Sequence, residues 1–216
     1  MTQHKENPLK TLQEIRQLME RSSRFISLSG LSGVTAGVIA LIGASIAHWY
    51  IGKVPFQGYD PLTPIRLSSN GIPQIDYLFF FGLASTMLVL AVGAGIFFTT
   101  RSAKAKGQKI WDALTQRLLI NLCIPLVAGG IFCLAALLHG LIFLIAPSTL
   151  LFYGLGLVNA SKYTLPDVRY LGLSEIALGL IGLFVPGYGL ELWGIGFGLL
   201  HIIYGSRMYF RYEYRQ

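Results

Sequence analysis

Arg169–Gly205 reads RYLGLSEIALGLIGLFVPGYGLELWGIGFGLLHIIYG, two apolar arms on either side of Val185-Pro186-Gly187-Tyr188-Gly189. Each arm is close to the ~20 residues that a helix needs to cross the hydrocarbon of a bilayer. The proline and glycines between them mark a tight turn. The stretch is therefore a membrane hairpin, and the rest of the chain repeats it.

The first arm, RYLGLSEIALGLIG, aligns with RFISLSGLSGVTAG and RLLINLCIPLVAGG. Each opens on an arginine (Arg24, Arg117, Arg169) and reaches a glycine thirteen residues later (Gly37, Gly130, Gly182). The second arm, GFGLLHIIYG, aligns with ASTMLVLAVG and PSTLLFYGLG, ending at Gly205, Gly93 and Gly156. Candidate spans fall at about 25–49, 77–99, 118–139, 141–159, 168–186 and 190–207. The expectation is an all-α integral membrane protein of six spans in three repeated hairpins (24–100, 117–160 and 169–207), with pseudo-threefold symmetry. Helices are the required element, because lipid leaves backbone N–H and C=O groups without partners.

Composition agrees. Of the 216 residues, 53% are hydrophobic and 12% charged, and mean hydropathy is +0.58. Spans and short connections occupy nearly all of this length, so residues 25–210 read as one membrane domain with no room for a soluble catalytic domain. The first 24 residues are polar and are expected to lack a cleavable signal.

Fifteen of the 17 Lys and Arg residues fall on one side: the N-terminal segment, the connections between spans two and three and between spans four and five, and the C-terminal end. Lys53 and Arg66 remain on the other. The positive-inside rule sets both termini in the cytoplasm. The net charge of +7 then serves orientation and attraction to anionic lipid at the inner face. No nucleic-acid-binding module is present, so nucleic acid is not an expected partner.

Residues 1–24 carry Asn7-Pro8 followed by Leu9, Leu12, Ile15, Leu18 and Met19, the apolar face of an amphipathic helix. It suits the inner membrane surface, a partner protein or a second copy. Residues 50–75 form an outer loop insertion rich in proline and glycine, either a cover or a linker. Lys106–Arg117, with Trp111, reads as an inner-surface helix leading into span three, and 211–216 as a cytoplasmic tail. Small residues on span one (Ser29, Gly30, Ser32, Gly33, Ala36, Gly37, Ala40), Gly93 with Gly95, and Gly154 with Gly156 are expected at helix contacts.

Glu175 is the acid set well inside a span, where an ionisable group is costly and hence a functional candidate. His201 lies at similar depth on the next span. With Asn121, Tyr153 and Asn159 they suggest a polar ligand site open to the cytoplasm, or a structural pairing of buried groups. His48 and His139 lie near outer span ends and read as interfacial anchors rather than haem ligands. Cys123 and Cys133, about 15 Å apart along one helix, suit neither a disulfide nor a metal. HExxH, GxSxG and phosphate-loop signatures are missing. No catalytic residue, metal or cofactor is expected, and an enzyme is not the leading reading.

The third hairpin resembles the unit of the HdeD-like acid-resistance membrane proteins, through Gly172, Gly179, Gly182, Pro186, Gly194, Gly198 and Gly205. LSGLSGVTAGVIALIGA, IPLVAGGIFC and NASKYTLPDVRYLGLSEIALGL are similar to uncharacterised six-span proteins of Bacteroidota. The resemblance implies a bacterial inner membrane and no established activity. The functional expectation is a non-enzymatic stress-related or accessory module that binds a lipid, a small apolar molecule or a partner protein. A homo-oligomer is an alternative form of it. The rival is a proton-linked transporter or small channel using Glu175.

Overall fold

The computed structural model of the chain describes residues 28–53, 77–107 and 110–214. The expected amphipathic segment 1–24 and nearly all of the outer loop 50–75 lie outside the described residues. Among those described, every regular element is helical and no strand occurs. In chain order they are α1 (Gly30–Lys53), α2 (Tyr77–Ala105), α3 (Ala113–Leu138), a 3-10 turn, α4 (Ile145–Ala160), a second 3-10 turn and α5 (Pro166–Phe184). A sixth rod follows, made of α6 (Gly189–Trp193), a π-helical stretch (Gly194–Leu200) and α7 (His201–Tyr212).

Among the described residues four helices are long and apolar enough to cross a membrane: Gly30–Ile51, Leu78–Ala105, Ala113–Leu138 and Ile142–Tyr163. The remaining two rods differ for visible reasons. α5 packs Asp167, Arg169 and Glu175 into 19 residues, and the sixth rod is wound wider over its middle seven.

Local chemistry sets the ends. Asp112 adopts extended backbone and accepts from Thr115 N–H at 2.7 Å, capping α3. That backbone bond holds its carboxyl below the usual range. Among its described residues, the surface helix expected over Lys106–Arg117 is formed only in the last five, as the start of α3: Ile110–Asp112 is a bend and helix begins at Ala113. Gly140 (φ 74°) and Gly187 (φ 101°) turn the chain where tight outer turns were expected, in a region of φ that only glycine enters freely.

The rods form two groups, α2–α1–sixth rod and α3–α4–α5, which meet where the sixth rod lies against α4 and α5. Glycines set the closest approaches. Gly30, Gly33 and Gly37 of α1 lie against Gly205 and Gly198 of the sixth rod, and Gly154 of α4 lies against Gly172 of α5. α5 and the sixth rod follow each other through the Gly187 turn, yet α5 packs chiefly on α4, and the sixth rod chiefly on α1. Among the described residues Gly93, Gly95 and Gly130 meet no neighbour, so the glycines expected at helix contacts are not all spent on them. α2 and α3 are outermost and expose large apolar side chains such as Leu78, Phe81, Ile131 and Leu138.

Near the Tyr212 end, Leu157, Leu165, Val168, Leu171 and Met208 form the buried core, with Tyr153 and Tyr212 packed against it. The antiparallel order gathers Arg117, Lys162, Arg169, Arg207 and Arg211 at this end of the rods, and leaves Lys53 at the other.

Candidate functional site

Glu175 sits halfway along α5 and is 0% exposed. Its neighbours come from two other rods. His201, the first residue of α7 and 5% exposed, brings Nδ1 to 3.4 Å from Glu175 Oε1. That is an ion-pair distance without hydrogen-bond geometry, and neither Glu175 oxygen has a hydrogen-bond partner. From α4, the Tyr153 hydroxyl reaches His201 Nε2 at 2.8 Å. The Nδ1 side also faces the Gly196 carbonyl at 3.1 Å.

The donor and acceptor roles depend on the His201 tautomer. If Nδ1–H donates to the Gly196 carbonyl, Nε2 is the acceptor and Tyr153 O–H the donor. Glu175 then faces the Nδ1 edge with nothing donated to it. A carboxylate beside imidazolium and a carboxylic acid beside neutral imidazole are two distributions of the same proton.

The π-helical stretch builds the walls. Gly194, Gly196 and Gly198 are buried along it. A methyl group on Gly196 would run into Glu175 Oε2 and Leu150 Cδ2, and Leu150 is itself fully buried. Glycine at this position is what admits the carboxyl between the rods. Trp193, Phe197 and His201 follow one another along the same rod, with ring centres 4.8 Å and 5.8 Å apart, and Tyr153 lies over Phe197 at 4.9 Å. Stacking on both sides fixes the imidazole and phenol in orientation.

Of the five residues singled out from sequence, Glu175, His201 and Tyr153 come together. Asn121 and Asn159 pair elsewhere, and α3 explains why. Pro125 lies inside α3 and has no N–H, so the carbonyl of Asn121, four residues before it, loses its helical donor. Asn159 Nδ2 supplies one from α4 at 3.0 Å. The Asn121 side chain donates to the Arg117 carbonyl at 2.8 Å. Asn159 thus repairs a helix defect, about 9 Å along α4 from Tyr153.

Two acids had escaped the sequence reading. Asp167, in the first turn of α5 and 2% exposed, receives Arg207 Nε at 3.1 Å, Arg211 Nη1 at 3.8 Å and the Tyr212 hydroxyl at 2.9 Å. Burial and the bond to Asp167 push the Tyr212 phenol above its ordinary range, keeping it a donor. Glu213 accepts from Ser29 Oγ at 3.1 Å and Gly30 N–H at 2.5 Å, capping α1. The signal for Asp167 was Pro166-Asp167 at a helix start, where an acid suits the dipole. Glu213 left no local signal.

Among the described residues no group of three His, Cys, Asp or Glu gathers that could hold a metal ion. No family model, curated protein or solved structure matches the chain.

Proposed function

We propose that the protein is a six-span protein of the bacterial cytoplasmic membrane, with both termini inside. It works as a non-enzymatic accessory module whose active centre binds a proton at Glu175. One observation carries the reading: a fully buried carboxyl with no hydrogen bond, 3.4 Å from a buried imidazole. A lone charge held there is expensive, and one proton shared with His201 removes that cost. Leu150 and Gly196 close on the carboxyl so tightly that a proton suits it better than a lipid or a small apolar molecule.

The six-span reading draws on the four membrane-length helices and on two further rods of 19 residues and of 24 residues, Gly189 to Tyr212. Cations gathered at the Tyr212 end support termini in the cytoplasm. The three-hairpin repeat is supported by the aligned arms, although the hairpins pack unequally.

Tyr153–His201–Glu175 is also a row along which a proton could pass, which favours proton-linked transport as the second reading. Infrared difference spectra of the protein in lipid, taken between acid and alkaline pH, test the centre. A carboxylic-acid C=O band should be lost in Glu175→Gln and displaced in Tyr153→Phe. An unchanged spectrum in Glu175→Gln rules the centre out. Proton flux in vesicles that disappears in Glu175→Gln would select transport over the accessory role.

A further inference from the structure

Asp167 accounts for one positive charge, yet two arginines lean on it. Arg207 and Arg211 are four residues apart on α7 and share a face. Arg207 engages Asp167 Oδ1 through Nε at 3.1 Å. Arg211 reaches Oδ2 with a single Nη at 3.8 Å, and Tyr212 O–H already occupies that oxygen. Both arginine side chains are 58% exposed, while Asp167 is sealed beneath them at 3%. The nearby acid that could balance the excess charge, Glu213, is committed to Ser29 and Gly30. Exposed Phe210 and Tyr214 pack edge to face at 5.9 Å on the same helix end. Aromatic and cationic side chains together at a helix end match the headgroup level of a membrane.

We propose that Arg207 and Arg211 form a site for the phosphate of an anionic phospholipid in the cytoplasmic leaflet, with Asp167 as the buried peg that holds the two guanidiniums side by side. A guanidinium offers a planar fork of donors that matches phosphate oxygens. A buried peg beneath two arginines orients both forks while their side chains stay 58% exposed. A simple surface ion pair would need one arginine. The site is separate from Glu175 and rests only on the part of the functional reading that sets this end at the inner membrane surface.

The test is native mass spectrometry of the full chain in mild detergent, with added phosphatidylglycerol, phosphatidylcholine or inorganic phosphate. Phosphatidylglycerol should be retained over phosphatidylcholine. Arg207→Gln/Arg211→Gln should weaken that retention about thirtyfold, two near-surface cations being removed, and Arg207→Lys/Arg211→Lys should recover part of it. Arg169→Gln, an exposed cation two residues past Asp167, should leave retention intact, as should Glu175→Gln. Equal retention of the two lipids, no loss in the glutamine pair, or an equal loss in Arg169→Gln overturns the proposal. Inorganic phosphate binding alone with the same arginine dependence would uphold a phosphate site and overturn the lipid as its source. Loss in Arg207→Gln/Arg211→Gln with the Glu175 infrared band intact separates this site from the proton centre.

Discussion

Asp167 and Glu175 lie eight residues apart on α5, and both are sealed from solvent. Asp167, at the helix start, collects donors from two arginines and a tyrosine. Glu175, at mid-helix, has one imidazole near it and no hydrogen bond. An acid that fastens two helices is surrounded by donors, because each donor offsets the cost of removing charge from water. An acid left without donors contributes little to holding the fold, and its upkeep calls for another reason. On the proposed reading, the contrast sets a structural carboxyl and a proton-binding one on a single helix.

The contrast can be broken by substitution. Asp167→Ala should cost the most, about 2–3 kcal/mol in thermal or denaturant unfolding, since a buried bonded acid is removed and Tyr212 loses its acceptor. A cost under about 0.5 kcal/mol would end its role as a fastener. Gly196→Ala should cost about 2 kcal/mol, because the methyl overpacks Glu175 and Leu150. Glu175→Ala in the same chain should relieve most of that penalty, and additivity of the two changes would show that they do not touch.

Asp112→Ala should cost about 1 kcal/mol, the worth of a helix cap. Asp112 has a lowered carboxyl pKa in the folded chain, so its contribution is complete above the unfolded aspartate range and fades as pH falls through the folded value. Wild type and variant should therefore converge in acid; a gap that persists there would argue against the cap. Smallest of all, Glu175→Gln should stay within about 0.5 kcal/mol of wild type, or gain slightly, since no hydrogen bond is lost. A large loss would make Glu175 structural, like Asp167.

Much of this was legible beforehand. Apolar runs of membrane length announced the helices, and Gly140 and Gly187 announced the turns that join them. Glu175 and His201 could be paired because equal depth on consecutive rods is a count along the chain. Tyr153 was found among the candidates, but its bond to His201 was not, because it depends on how α4 leans on the sixth rod. Asn121 and Asn159 misled for a physical reason. A polar group in an apolar helix advertises a site equally well when it is repairing the carbonyl that Pro125 leaves unpaired. The partners of Asp167 and Glu213 were invisible, since Tyr212 is 45 residues from Asp167, and Ser29 is 184 from Glu213. The glycines gave only half their message: they named close contacts without saying which rod would fill them.

The cap that Glu213 places on α1 orders events in time. α1 is the first of the described helices to leave the ribosome, and α7, with Glu213 just beyond it, is the last. Until that carboxylate arrives, Gly30 N–H has no acceptor from the chain, and the glycine face of α1 has no partner rod. Insertion can proceed span by span, but the first helix is finished only when the sixth rod has been made. A chain cut before residue 189 would leave the first helix without its cap and with its glycine interface bare.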